Sequence, residues 1–325
     1  MILKSYPKIN LYLKIIDFDG RYHLLESRFA HIKGNLYDEI EITQSNKDII
    51  EGDFGCKIEA STVSRALCLL REKYPKTFPP IHIKVAKKIP KGSGLGGGSS
   101  NAGCVLQGID SMFCLGLANE ELNAIAKSVG ADVAFFVSGA EFAEVSGVGE
   151  QIYPLTLDLS DVSEFEIYTP NVLCDTKAVY RQYRAMIEKQ ILKFSHKNML
   201  KHFSNEKLLD FGEHFEGNKD SINGHSFRNS SALKNSLACE RFANISALND
   251  LFAPACALYP QLLEIAQELG EGWFFSGSGS SFFRPILRKE QHKMSDIRES
   301  SIKSTNIDSK VESTPVNQKA NTLFD

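Results

Sequence analysis

The sequence has no CxxC pair and no HExxH, and its eight histidines form no ligand-like cluster with cysteine. The common signatures of a zinc centre are therefore missing, and no built metal centre of His and Cys side chains is expected. No apolar run approaches the ~18 residues of a membrane span. The first residues, Met1-Ile2-Leu3-Lys4-Ser5-Tyr6-Pro7-Lys8, lack the apolar stretch of a secretory signal. Positive charge is not in surplus either: 37 Lys and Arg face 40 Asp and Glu, for a formal net charge of −3. A global basic field that would hold nucleic acid or anionic membrane is excluded. These absences point to a cytoplasmic protein without a nucleic-acid or membrane partner; the expected partner is a small molecule and the expected assembly a monomer or homodimer.

Cysteine is present but odd in number: Cys56, Cys68, Cys104, Cys114, Cys174, Cys239 and Cys256. Most have apolar neighbours, as in Ala66-Leu67-Cys68-Leu69-Leu70. The expectation is buried thiols in a reducing compartment rather than a disulfide framework.

Apolar residues make up 42% and charged residues 24% of the 325-residue chain, the balance of an ordinary globular protein. That length suggests about two domains. Ile9–Ile15 and Ile81–Val85 alternate with period two and predict strands. Ala102, Val105, Leu106, Ile109, Met112 and Phe113 mark one face of a helix. A second helix is expected from Asn119, as its N-cap, to a stop at Gly130. Strands mixed with helices, without a βαβ rhythm, suggest α+β. Residues 192–248 are polar and suggest surface helices and loops, and the chain turns polar again from Lys289. That tail is expected to stay mobile, because it buries too little to offset its ordering entropy.

Between the second strand and the first helix lies Pro90-Lys91-Gly92-Ser93-Gly94-Leu95-Gly96-Gly97-Gly98-Ser99-Ser100-Asn101. Five glycines in seven residues clear the loop of side chains and permit positive φ. Backbone N–H groups can then converge on an anion, and the following helix adds its free N–H groups and positive end. Ser99 and Ser100 supply hydroxyls for phosphate oxygens or a metal. Gly92, Gly94 and Gly97 also spell GxGxxG, but no acidic residue ends a second strand about 20 residues later, as a dinucleotide site requires. A Walker A loop is excluded, because no Lys-Ser or Lys-Thr follows the glycines. A flexible linker, a dinucleotide site and a nucleoside-triphosphate cradle of another kind remain.

The full run from Pro90 to Asn101 resembles the central motif of the GHMP kinases. Pro7-Lys8-Ile9-Asn10-Leu11-Tyr12-Leu13, Gly20-Arg21-Tyr22-His23-Leu24-Leu25, Gly130-Ala131-Asp132-Val133-Ala134-Phe135-Phe136, Gly147-Val148-Gly149-Glu150 with Pro154, and Ser276-Gly277-Ser278-Gly279-Ser280 resemble further segments of one branch, in the expected order. That branch takes a cytidine diphosphate-linked methylerythritol as its acceptor. The resemblance covers about residues 6–283. It implies an ATP-dependent kinase using Mg²⁺, which phosphorylates the acceptor's 2-hydroxyl in non-mevalonate isoprenoid precursor biosynthesis. It also implies the two-domain GHMP kinase fold, with a ribosomal-protein-S5-like N-terminal domain (1–158), a ferredoxin-like C-terminal domain (159–285) and a tail (286–325).

Residue by residue, the resemblance makes Asp132 the base and Lys8 its cationic partner. ATP falls to Pro90, Lys91, Gly92, Ser93, Gly94, Leu95, Gly96, Gly97, Gly98, Ser99 and Ser100. The acceptor falls to Asn10, Tyr22, His23, Tyr180, Gly277 and Gly279, with the aromatic groups stacking on or bonding to cytosine. The chain departs from the pattern at Arg21, inserted before Tyr22, at Ala134, where proline is usual, and at Lys91 and Ser93. Two other readings stay open: a GHMP kinase for homoserine or phosphomevalonate, and a catalytically silent nucleotide-binding regulator.

Overall fold

The computed structural model describes residues 1–157, 159, 162–195, 245, 248–288 and 317–319. The chain begins β1 (Ile2–Ser5), β2 (Lys8–Phe18), β3 (His23–His31), β4 (Asp38–Gln44) and β5 (Ile49–Gly52). Helix α1 (Thr62–Lys73), β6 (Ile81–Ala86), α2 (Gly97–Phe113), α3 (Asn119–Val129) and α4 (Val133–Ser138) follow. Then come β7 (Phe142–Ser146), β8 (Gln151–Leu155), β9 (Val162–Tyr168) and α5 (Thr176–Glu188). Helices α6 (Phe252–Leu258) and α7 (Gln261–Leu269) precede β10 (Phe274–Phe275), β11 (Phe282–Leu287) and β12 (Asn317–Lys319).

The strands form three four-stranded sheets. The first has the order β1-β4-β6-β5, with only the β5–β6 pair parallel. On β4 and β6, Ile40, Ile42, Ile81, Ile83 and Val85 turn inward while alternate residues stay outside. This is the pattern of an antiparallel sheet with one covered face. The cover is helical: Val63, Ala66, Leu67 and Leu70 of α1, and Ala102, Val105, Leu106 and Ile109 of α2, join the same core. The expected helical stripe after the glycines is therefore the packing face, though the helix starts earlier, at Gly97.

The second sheet, β2-β3-β7-β8, is antiparallel throughout. In β2 every residue from Lys8 to Ile15 is buried, so the strand is covered on both faces. Its register with β3 shifts between Asn10 and Tyr12. Such a bulge places an extra residue and reverses the alternation beyond it. Ile9 and Leu11 consequently join one core cluster, and Leu13 and Ile15 another. Lys8, Asn10 and Leu13 come to line one cleft.

The third sheet has the order β10-β11-β9-β12. Its Phe165, Ile167 and Phe283 pack on Ile9, Leu11 and Ala30 of the second sheet. Strand β12, in the segment expected to be a mobile tail, pairs with β9 through Asn317↔Tyr168. The rest of that tail beyond Arg288 lies outside the described residues, as does most of the polar 192–248 stretch.

Two local expectations are corrected. Asn119 is the first residue of α3, and Ala118 holds the cap position; the Glu121 side chain takes the Ala118 N–H at 3.4 Å. The cysteines are not uniformly buried: Cys56, Cys68 and Cys114 are exposed. Cys68 sits between Leu67 and Leu70 in sequence but off the buried stripe of α1, whose period is 3.6 residues. Cys239 lies outside the described residues.

Candidate active site

The glycine loop leaves β6 and enters α2 through residues of left-handed backbone: Gly92, Gly94 and Gly96 have φ of 60°, 75° and 70°. A side chain at Gly94 would also overlap the Ser276 carbonyl. The loop is thus pressed against a second glycine loop, 276–280, which joins β10 and β11. Backbone bonds lock the two together: Ser281 N–H donates to Ser93 O at 2.9 Å and Ser280 N–H to Gly92 O at 3.2 Å. Lys8 N–H donates to Leu95 O at 3.0 Å, which ties the start of β2 to the same loop. Gly96, the N-cap of α2, brings no side chain to the first helical turn. The free N–H groups and positive end of this 17-residue helix are therefore left for an anion.

A cleft of about 490 Å³ runs from this loop to β2, α4 and α5. Its walls include Gly92, Gly96, Gly98 and Ser99 of the loop together with Lys8, Asn10, Asp132 and Tyr180. Lys8 is 3% exposed. Its ammonium donates to Asn10 Oδ1, lies 3.7 Å from Asp132 Oδ2, and faces the Phe29 ring at 4.4 Å. Burial pushes its pKa below the ordinary lysine value, against the opposing pull of Asp132. Asn10 is held in turn: its Nδ2 donates to Ser27 Oγ at 2.9 Å, and its N–H donates to Ser276 Oγ at 3.2 Å.

Asp132 occupies the N-cap position of α4, yet its side chain makes no capping bond. It faces Lys8 instead. Gly149, in the turn between β7 and β8, would bring a Cβ to 3.6 Å from Asp132 Oδ1. The Gly147–Glu150 turn thus packs beside this carboxylate. Ala134, in the place of the usual proline, is fully buried within α4.

The expected aromatic group assembles only in part. His23 packs on Phe18, Tyr180 and Tyr183, with ring centroids 5.0, 5.2 and 5.8 Å away. Burial, helped by Arg184, lowers its pKa, while burial and Asp132 raise that of Tyr180. Tyr180 lines the cleft; His23 reaches it only through its packing on Tyr180, and Tyr22, 48% exposed, does not line it. Arg21 does not break its turn: Asp19 Oδ1 accepts the N–H groups of Arg21 and Tyr22 at 2.8 and 2.6 Å, and the Arg21 guanidinium covers the Tyr22 ring at 5.0 Å.

Other expectations divide as well. Ser100 Oγ donates to Tyr6 O at 2.5 Å and its N–H to Gly96 O at 2.8 Å, so neither group is free for phosphate. Leu95 is wholly buried, and Ser93 Oγ donates to Pro90 O at 2.6 Å. Pro90, Lys91, Ser93 and Gly94 line the cleft, with the Lys91 ammonium paired to Asp53 at 2.8 Å. Gly277 lines the cleft, whereas Gly279 does not; a Cβ there would strike the Phe275 ring.

Sequence reading missed several residues here. Thr176 and Ser278 share a 2.8 Å hydrogen bond on the cleft wall. Asn249, 3% exposed, donates from Nδ2 to Phe275 O and Gly277 O at 2.8 and 2.9 Å. It fixes the second glycine loop from behind. Its only signal in the sequence is a polar Asn-Asp pair beside an apolar run, which is too common to single out.

The model of the GHMP kinases N terminal domain matches residues 61–140, the span from α1 to the end of α4. The 4-diphosphocytidyl-2-C-methyl-D-erythritol kinase of Helicobacter acinonychis (strain Sheeba) is 34% identical over 289 residues, covering 86% of this chain and 94% of that protein. The chain belongs to that kinase family, within the GHMP kinases. The enzyme of the same name from Sulfurimonas denitrificans is 33% identical across 89% of this chain and 98% of its own length. A crystal structure of 4-(cytidine 5'-diphospho)-2C-methyl-D-erythritol kinase matches with a TM-score of 0.61 at 25% identity, over 92% of this chain and 96% of that one. Phosphomevalonate kinase of Streptococcus pneumoniae shares the fold, with a TM-score of 0.55 at 14% identity over 93% of this chain and 96% of that one. The chain is therefore a small-molecule kinase of α+β GHMP fold that uses ATP.

Proposed function

We propose that this kinase transfers the γ-phosphoryl group of ATP to the 2-hydroxyl of 4-diphosphocytidyl-2-C-methyl-D-erythritol, in non-mevalonate isoprenoid precursor biosynthesis. The observation that carries the reading is the Lys8–Asp132 pair, 3.7 Å apart on the wall of a cleft that continues to the glycine loop. A silent nucleotide binder has no use for a carboxylate and a buried cation at that point.

In-line phosphoryl transfer needs positioning and charge stabilisation more than covalent chemistry. Asp132 accepts the proton of the acceptor hydroxyl as its oxygen bonds to the γ-phosphorus and the bond to the β-phosphate oxygen breaks, releasing ADP. Lys8 offsets the charge that spreads over the transferred group, and Asn10 fixes the Lys8 ammonium. Gly92, Gly96, Gly97, Gly98 and Ser99 hold the phosphates at the positive end of α2. The Ser99 hydroxyl on the cleft wall would hold Mg²⁺, which when bound would supply neutralisation of the phosphate charge. Tyr180 forms the cytosine side, with His23 packed behind it. The nucleotide side belongs to residues 1–158 and the closing glycine loop to 159–285.

Asp132→Asn keeps shape and removes the base. It should lower kcat by about 10²–10⁴-fold, the usual worth of a general base, with ATP affinity unchanged by calorimetry. Turnover at the wild-type rate would refute the assignment.

A further inference from the structure

Beneath the nucleotide end of the cleft lies a fully buried carboxylate that the mechanism above does not use. Asp38, the first residue of β4, has 0% exposure. Its Oδ1 accepts the backbone N–H groups of Lys88 and Ile89 at 2.6 and 2.8 Å. Its Oδ2 accepts the Lys87 ammonium and, at 2.8 Å, Asn101 Nδ2. Lys87 also donates to Asn101 Oδ1 at 2.8 Å. Asn101 lies near the start of α2, is fully buried, and donates to Ser5 Oγ at 2.9 Å. Every strong contact of this carboxylate thus goes to the corner from which the glycine loop departs, or to the helix it enters.

Lys87 is the member that reaches the cleft wall. Its ammonium sits 3.3 Å from the point that a Cβ on Gly97, the first residue of α2, would occupy. A lone cation beside a helix N-terminus is repelled by the helix dipole. Asp38 offsets that repulsion and leaves Lys87 one orientation. Buried ion pairs add little net stability compared with apolar residues of similar size, so stability alone is a weak reason for this box. We infer that Asp38 is a positioning residue, which fixes the Lys87 ammonium at the triphosphate end of the cleft. The inference rests on the reading of the glycine loop as the ATP cradle.

The test is a double-mutant cycle of Asp38→Asn and Lys87→Met, with ATP binding measured by calorimetry without acceptor, alongside thermal melting. In Asp38→Asn one side of the amide still accepts from Lys88 and Ile89, while its NH₂ faces two donors. Each single variant should raise the Kd for ATP about tenfold, the scale of one charge-assisted contact. The double variant should bind no more weakly than Lys87→Met alone, because Asp38 acts through Lys87. Its melting temperature should recover relative to Asp38→Asn, since the stranded cation is gone. Unchanged ATP binding in Asp38→Asn, effects that multiply in the double variant, or binding and melting that recover together would each overturn the inference. Ser99→Asp separates the two readings: it places an anion in the first turn of α2, which helps the helix and repels triphosphate. If it weakens ATP binding and Asp38→Asn does not, only the inference falls. If it too leaves ATP binding unchanged, the cradle reading falls and takes the inference with it.

Discussion

Lys8 is a cation that the fold keeps almost dry. Burial lowers its pKa from 10.5, and the nearby Asp132 only partly opposes this. A base whose folded pKa lies below its unfolded value costs stability while both states are charged, and the cost fades as pH rises through the folded value towards 10.5. Lys8→Met should therefore lower kcat by about 10²-fold or more, as for a lost transition-state cation. Its melting temperature at pH 7 should equal or exceed that of the wild type, with the difference shrinking at alkaline pH. A melting temperature well below wild type would show that Lys8 is structural. At this scale the sequence was legible through motifs alone. Nothing in a single lysine two residues before Asn10 reveals that β2 is covered on both faces. The same limit hides why Ser100 and Tyr22 leave the cleft: the Tyr6 carbonyl and the Asp19 turn that hold them act through space.

The strands and helices beside the loop were legible because their periods are strong: β6 alternates over Ile81, Ile83 and Val85, and α2 repeats at helical spacing. The bulge in β2 was not, since a register shift leaves no mark on an alternating sequence. Yet that bulge is what lets Leu13 share a face with Lys8 and Asn10. The interlocked glycine loops were half legible: each run is conspicuous, but their contact belongs to tertiary structure. Gly94 tests it. Gly94→Ala combines φ of +75° with overlap on the Ser276 carbonyl, whereas Gly116→Ala has φ of +67° and nothing within 4 Å. Gly116→Ala should cost about 1–3 kcal/mol of backbone strain, and Gly94→Ala clearly more, read from urea unfolding. Gly94→Ala should also weaken ATP binding, while Gly116→Ala leaves it intact. Equal losses of stability would mean that the two loops are not locked.

Over the whole molecule, three sheets converge on one cleft. The second sheet brings Lys8 and Asn10, α4 brings Asp132, and the segment between β10 and β11 closes the far wall. Asn249 and Asp250 tie that closing segment to β2: Asp250 N–H donates to Leu13 O at 3.0 Å, and Asp250 carboxylate oxygens accept from Lys14 at 2.6 Å and from the Ile15 N–H at 2.7 Å. The formal net charge of −3 is compatible with triphosphate binding, because one helix end and one loop supply the positive field locally. The central claim concerns the acceptor, and an assay of ADP release with rival acceptors tests it most directly. With ATP and Mg²⁺ present, 4-diphosphocytidyl-2-C-methyl-D-erythritol should drive ADP release, while homoserine and phosphomevalonate should not. Release driven by homoserine or phosphomevalonate alone would contradict it.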